Sequence, residues 1–146
     1  VGKVYDSQLK FFKTLESLAQ RLGISVYWAG PRKDVRPILR CFDVYVCSSK
    51  AESSPISVWE AMSMAIPIVS TDVGDVPKYV KDGENGFIAP VGEDTLLSDR
   101  VIQLLNDSEL RQSFGTKSRQ IAQQHLDIAN CGERHLEAYQ LLSRNP

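Results

Sequence analysis

The sequence predicts an α/β protein built on a doubly wound parallel sheet. Short apolar segments typical of buried strands alternate with longer segments whose apolar residues recur every three or four positions, as in amphipathic helices. The segments between successive strands are also long enough for the right-handed crossovers that parallel strands need. Together these observations predict a Rossmann-like, three-layer α/β/α architecture.

The first elements follow from local patterns. A helix is expected from Asp6, because apolar residues recur at helical spacing up to Gly23, which stands where a C-terminal cap belongs. Residues Ile24 to Ala29 are then predicted to form a buried strand, with Trp28 in the core. Asp34 can cap a short helix that follows.

The middle of the chain continues the alternation. A second strand is predicted over Val44 to Cys47, and a third over Ile68 to Thr71. Between them a largely apolar helix is expected to start at Pro55, with Ser54 as its N-cap, because proline suits the first helical position.

The last part of the chain is mostly helical. Val76 to Lys81 suggests a helical turn, and residues 82–86 form a glycine-containing turn that leads into a short strand at Phe87 to Ala89. After Asp94 the apolar spacing predicts only helices, including a helical tail over residues 108–146.

Composition limits the class of protein. The chain has 146 residues, 42% of them hydrophobic, which predicts a single domain over residues 1–146. The net charge of -1 gives no basic field for nucleic acid. No apolar run approaches the roughly 20 residues that span a bilayer, so a soluble, cytoplasmic protein is expected. The three cysteines form no Cys-x-x-Cys pair, and no metal-ligand cluster is visible.

The candidate site is expected where the strands end. In open parallel sheets, ligands bind beyond the carboxyl ends of the strands, where the loops into the following helices converge. Three such segments, residues 30–34, 48–54 and 71–75, are rich in glycine, serine and charged residues, while the strands before them are not. We expect these three loops to meet.

Two glutamates flank the start of the Pro55 helix. Glu52 precedes it and Glu60 lies within it, eight residues later. The first amides of a helix, at the positive end of its dipole, can receive a phosphate, and carboxylates beside them can accept hydrogen bonds from hydroxyls. Such a site suits a sugar nucleotide. The plainer alternative is that Glu60 lies on a solvated helix face and that Glu52 is an exposed loop residue.

These residues, in this order, resemble a known family. The chain is similar to the donor-binding, C-terminal half of family 4 retaining glycosyltransferases of the GT-B fold, which carry a Glu-x7-Glu motif. The resemblance is carried by Leu18 to Ile24, Gly30, Phe42 to Ser49, Glu52 to Met62, Pro67 to Gly74, Val76-Pro77 and Asp82 to Phe87.

The resemblance implies a role for each candidate residue. Glu60 would accept hydrogen bonds from the ribose hydroxyls of a nucleoside diphosphate sugar, and Glu52, the expected catalytic residue, would lie beside the transferred sugar. Gly74 would let the backbone approach the donor closely. The remaining donor-binding residues would be Ser53, Ser54, Ile56 and Ser57 at the diphosphate or sugar, and Gly30, Arg32, Lys33 and Val35 at the base.

The resemblance also implies partners. The reaction would be transfer of a hexosyl unit to a glycan or lipid acceptor, with retention at the anomeric carbon. It would need no bound metal or other cofactor. The first strand of the domain and the N-terminal acceptor domain would precede Val1, so the chain alone should bind donor without transferring it. Peripheral membrane association of the whole enzyme fits this family.

The sequence departs from the family pattern in two places. Where the family has Glu-Gly-Phe-Gly or a similar run, this chain has Glu52-Ser53-Ser54-Pro55, which adds two hydroxyls and predicts an altered sugar pocket. The second place is the turn after the third strand, where Gly74-Asp75 and Pro77-Lys78 stand in place of the Gly-Gly and Pro-Glu often found in the family. Two alternatives use the same architecture: a sugar-nucleotide epimerase-type enzyme, and a non-catalytic regulatory module. A Rossmann oxidoreductase is disfavoured, because no Gly-x-Gly-x-x-Gly opens a helix.

Overall fold

A computed structural model describes residues 4–143, apart from the side chains of Cys131, Arg134 and Ala138. The chain divides between Pro37 and Ile38 into two compact units. A short helix, α2 (Arg36–Leu39), crosses this boundary.

The first unit contains one long helix. A 3-10 turn, Asp6–Gln8, leads into α1 (Leu9–Arg21). The helix ends in a Schellman motif: the Ile24 amide donates to the Ala19 carbonyl at 2.9 Å, and Gly23 takes a φ of +64°. The predicted helix and its glycine cap are therefore confirmed.

The strand predicted after this helix is wrong. Residues 24–29 form no strand, and Trp28, predicted to be a core residue, is 44% exposed while its ring packs edge-on against Phe12 at 4.8 Å. A strand requires a hydrogen-bonded neighbour. Within residues 4–143 the sheet has three strands, and this segment pairs with none of them.

The second unit is a parallel α/β structure. Its sheet has the order β1-β2-β3 with both pairs parallel, and Val46, Val69 and Phe87 lie side by side across it. The predicted α/β class is confirmed, and the third predicted strand matches to the residue. The elements are β1 (Tyr45–Cys47), α3 (Ile56–Ser63), β2 (Ile68–Thr71), α4 (Val76–Tyr79), β3 (Gly86–Ala89), α5 (Asp94–Asn106), α6 (Ser108–His125) and α7 (Ile128–Ser143).

One face of this sheet is covered by α5 and α6. Val69 and Phe87 are paired across the sheet, and both belong to a buried cluster with Leu104 of α5 and Phe114 of α6. The rings of Phe87 and Phe114 meet edge to face at 5.2 Å. Fully burying an apolar side chain contributes roughly 1.5–3 kcal/mol, so this cluster holds the strands firmly in register.

Helix α6 also contacts the loops that enter β2 and β3. Its Gly115 faces the carbonyl of Ala65, where a side chain would collide. Its Ser118 hydroxyl donates to the carbonyl of Asn85 at 2.8 Å, and the buried Asn85 side chain accepts from the Lys81 amide at 2.7 Å. These contacts fix the amino ends of the strands and leave the carboxyl ends to the loops of the candidate site.

Candidate functional site

The loops that follow β1 and β2 contact each other through their backbones. The amide of Asp75 donates to the carbonyl of Ser53 at 2.8 Å. Because β1 and β2 are parallel neighbours, both loops emerge at the same edge of the sheet. Two of the three loops predicted to meet, residues 48–54 and 71–75, therefore do so.

Gly74 makes this contact sterically possible. Its φ is +51°, and a Cβ atom there would lie 2.7 Å from the Glu52 carbonyl oxygen and collide with the carbonyl of Ser53. Only glycine fits such a left-handed position against another backbone without strain. Glycine is thus required at position 74 by the neighbouring Glu52–Ser53 backbone. The predicted close approach of Gly74 to a donor stays a prediction.

The Glu52 carboxylate is held by a nearby hydroxyl. Ser49 Oγ donates to Glu52 Oε1 at 2.8 Å. The backbone of Ser49 is fixed in turn, because the buried Thr71 hydroxyl at the end of β2 donates to the Ser49 carbonyl at 2.6 Å. Neither Ser49 nor Thr71 was among the predicted site residues, although both lie in the serine- and threonine-containing segments at the strand ends.

The start of α3 differs from the prediction. The helix begins at Ile56, and Pro55 takes the N-cap position with extended backbone and no side-chain cap. Ser54, predicted to be the cap, instead accepts a hydrogen bond from the Trp59 indole Nε1–H at 3.2 Å. Because Pro55 takes the N-cap position, Ser54 stands one residue before the place where a side-chain cap would act.

The other predicted residues of the second unit are solvent-accessible. Ile56 and Ser57 supply the first amides of α3, and the side chain of Ile56 is 70% exposed. Glu60 is also exposed, one turn further along the same helix. An exposed carboxylate beside an open helix start can accept hydrogen bonds from a ligand's hydroxyls.

Tyr45, the first residue of β1, was not among the predicted site residues. Burial of its hydroxyl raises its pKa above the ordinary value, and a hydrogen bond with Ser57 opposes that rise. The acidic groups of Cys47, Glu60 and Glu52 raise the pKa of Tyr45 further. The Tyr45 hydroxyl therefore lies beside Ser57 and within electrostatic range of both glutamates. Its only sequence signal is a polar tip within an apolar strand.

Four predicted donor-binding residues lie in the first unit. Gly30 has a φ of +67°, Arg32 and Lys33 are exposed, and Val35 is half-buried. Their predicted role at the base of a nucleotide stays a prediction.

Metal-ligand clusters and membrane-spanning helices are both absent from the described residues. No group of three or more His, Cys, Asp or Glu side chains within them could hold a metal ion. No helix in the same part of the chain is long and apolar enough to cross a membrane.

The fold and the paired loops define a class of protein. The sheet is parallel, its crossovers are helical, and two glutamates flank a helix start at its carboxyl edge. Residues 1–121 match the family model of the glycosyl transferases group 1. The chain belongs to this family.

Curated relatives are similar over part of their length. The chain is 32% identical over 111 residues to N-acetyl-alpha-D-glucosaminyl L-malate synthase of Bacillus anthracis, which is 75% of this chain and 29% of that protein. It is 32% identical over 139 residues to alpha-maltose-1-phosphate synthase of Mycolicibacterium smegmatis, covering 88% of this chain and 35% of that protein. The chain thus spans about a third of the length of these relatives.

Solved structures show the same fold. The Anabaena protein Alr3699/HepE in complex with UDP superposes with a TM-score of 0.90 at 23% identity, over 95% of this chain and 39% of that one. The C-terminal domain of a glycosyl transferase group 1 family protein (LpcC) from Francisella tularensis superposes with a TM-score of 0.76 at 23% identity, over 88% and 68% of the two chains. The predicted match to the C-terminal half of GT-B glycosyltransferases is confirmed.

Proposed function

We propose that this chain binds the nucleoside diphosphate sugar donor of a retaining glycosyltransferase. The observation that carries the proposal is the pairing of the two loops at the carboxyl edge of the sheet, where the Asp75 amide donates to the Ser53 carbonyl next to Glu52. Family membership supplies the chemical context. The pair of carboxylates suits a ligand with two separate groups of hydroxyls, and the helix start between them suits a diphosphate.

The two glutamates would divide the ligand between them. Glu60, on the first turns of α3, would accept from the ribose hydroxyls, while Glu52, on the loop, would accept from the transferred sugar. The α3 amides at Ile56 and Ser57 would donate to the diphosphate, because the first amides of a helix have no partner within it. Arg32 and Lys33, with Gly30 and Val35, would face the base.

Uridine diphosphate is the first nucleotide to test. Structures similar in fold to this chain are described in complex with UDP and with UDP-glucose. We propose a UDP-hexose as donor, without a metal or other cofactor.

The complete reaction would need more than this chain. Retaining transfer of a hexosyl unit to a glycan or lipid leaves a diphosphate, whose negative charge must be stabilised as it develops. Since the chain spans about a third of its relatives, we propose that an acceptor-binding domain on the same protein completes the site. The whole enzyme would work in the cytoplasm, with peripheral attachment to the membrane when its acceptor is a lipid.

Titration calorimetry tests donor binding directly. The protein would be titrated with UDP, UDP-glucose, UDP-N-acetylglucosamine and GDP-mannose. Glu60→Ala should weaken the binding of UDP and of UDP-glucose alike, by about tenfold to a hundredfold, because a hydrogen bond to a charged group contributes ~1.5–3 kcal/mol. Glu52→Ala should weaken UDP-glucose much more than UDP.

Glu109→Ala is the matched control. This glutamate is exposed on α6, away from the strand ends, and its removal should leave both affinities unchanged. Failure of the folded wild-type protein to bind any of the four nucleotides would contradict the proposal and favour a regulatory module. Equal losses of UDP and UDP-glucose in Glu52→Ala would contradict the division of roles.

A further inference from the structure

We propose that Ser49 is a positioning residue for Glu52, and that it fixes the carboxylate against the sugar of the donor. This inference rests on the proposed donor-binding function. It concerns a residue that does not itself contact the ligand.

The two side chains make a direct hydrogen bond. The Ser49 hydroxyl donates to Glu52 Oε1 at 2.8 Å, within the usual range for O–H···O hydrogen bonds. Glu52 is exposed and glutamate has a flexible side chain, so without a partner its carboxylate would sample many rotamers. The hydroxyl selects one of them. It also occupies Oε1 and leaves Oε2 to accept from a sugar hydroxyl.

Ser49 is itself fixed from β2. The Thr71 side chain is 5% exposed, and its hydroxyl lies 2.6 Å from the Ser49 carbonyl and 3.3 Å from that of Cys47. A hydroxyl carries one hydrogen, so the shorter contact is the one that holds its proton. The backbone of Ser49 therefore belongs to the rigid edge of the sheet.

The other side of Glu52 is fixed as well. The Ser53 carbonyl accepts from the Asp75 amide at 2.8 Å, and Gly74 packs against the same peptide. Glu52 thus stands between two backbone positions held by the end of β2 and the loop that follows it. Only the side chain of Glu52 can still move, and the hydrogen bond from Ser49 restricts its rotamers before the ligand binds. This improves affinity, because less conformational entropy is lost on binding.

The test compares UDP with UDP-glucose by titration calorimetry on the protein. Ser49→Ala should weaken the binding of UDP-glucose by about three- to tenfold and leave that of UDP unchanged, since the hydrogen bond to Glu52 is lost and only the sugar would contact Glu52. Ser49→Thr, which keeps the hydroxyl, should restore most of the affinity. Ser48→Ala, an exposed serine in the same loop, is the matched control and should bind both ligands as wild type does.

A double-mutant cycle identifies the path of the effect. In the Glu52→Ala background, Ser49→Ala should cause no further loss of UDP-glucose affinity, because the group that it positions is already gone. If Ser49→Ala lowers the affinity for UDP-glucose by the same factor in both backgrounds, the proposal is overturned. Equal weakening of UDP and UDP-glucose binding in the single variant would overturn it as well. Thermal melts of each variant confirm that it is folded.

The two proposals fail in different ways. Wild-type protein that binds neither UDP nor UDP-glucose overturns the donor-binding function and this inference with it. Wild-type binding of both ligands, together with unchanged affinity for UDP-glucose in Ser49→Ala, overturns this inference alone.

Discussion

The amide of Asp75 donates to the carbonyl of Ser53 at 2.8 Å and so joins the loops that follow β1 and β2. The predicted catalytic residue Glu52 directly precedes Ser53 in the first loop, and Gly74 directly precedes Asp75 in the second. The position of the Glu52 backbone is therefore a property of two loops, and substitutions in either loop should affect it.

Substitution of Gly74 by alanine should destabilise the protein strongly. A left-handed residue other than glycine costs about 1–2 kcal/mol, and the collision with the Ser53 carbonyl adds a further ~1–3 kcal/mol of steric strain. Urea denaturation measures the loss. Gly83→Ala is the matched control, because Gly83 has a φ of +75° and no neighbour within 4 Å of its added Cβ. Equal losses in the two variants would show that the loops yield without strain.

Ala65→Gly should stabilise the protein by about 1 kcal/mol. Ala65 ends α3 in a Schellman motif with a φ of +59°, a conformation that glycine adopts more readily. The free energy of unfolding in urea checks this. The same substitution inside the helix, Ala61→Gly, should have the opposite effect and destabilise the protein, because it adds backbone freedom to the unfolded chain and removes a buried methyl group. A destabilised Ala65→Gly variant would contradict the backbone assignment.

Tyr45 should make the protein sensitive to alkaline pH. Burial raises the pKa of its hydroxyl in the folded state, and its hydrogen bond to Ser57 only partly opposes this. The neutral tyrosine is therefore favoured by folding, so its contribution to stability is complete below the unfolded pKa of about 10 and is lost as pH rises through the folded value.

Unfolding experiments between pH 8 and pH 11 measure this contribution. The free energy of unfolding of Tyr45→Phe should fall less steeply above pH 10 than that of the wild type, whatever its value at neutral pH. Tyr139→Phe, an exposed tyrosine on α7, serves as control and should keep the wild-type slope. Parallel curves for wild type and Tyr45→Phe would contradict the predicted titration.

Removing the Ser118 hydroxyl should affect stability but not donor binding. Ser118 is fully buried. Its hydroxyl donates to the backbone carbonyl of Asn85 and accepts from the side-chain Nδ2 of Asn85 at 3.3 Å. Ser118→Ala removes the donor from the Asn85 carbonyl, while Asn85 Nδ2 keeps its hydrogen bond to the Tyr79 carbonyl, and the loss costs about 1–3 kcal/mol. The contact lies at the amino ends of the strands, so UDP affinity of the folded variant should match wild type. Ser113→Ala, exposed on the same helix, should change neither quantity.

Local patterns explain most of the successful predictions. The third strand, Ile68–Thr71, and the long helices α5 and α6 follow from runs of apolar residues with the right period. The glycine cap of α1 likewise depends only on its neighbours in sequence. The failed strand at residues 24–29 has the same apolar pattern as a buried strand, but pairing with a neighbour decides strand formation, and no local pattern contains that neighbour.

For the candidate site, the sequence alone determined the chemistry of the loops. It placed Glu52 and Glu60 on either side of a helix start and marked Gly74 as a point of close approach. Only the tertiary structure decided what each of them touches. Thr71 reaches Ser49 across 22 residues of chain, and Tyr45 meets Ser57 from another element. Such contacts depend on which strands are neighbours and on the direction of each side chain from the sheet. Both are set by packing of the whole domain, beyond the few residues over which sequence periodicity acts.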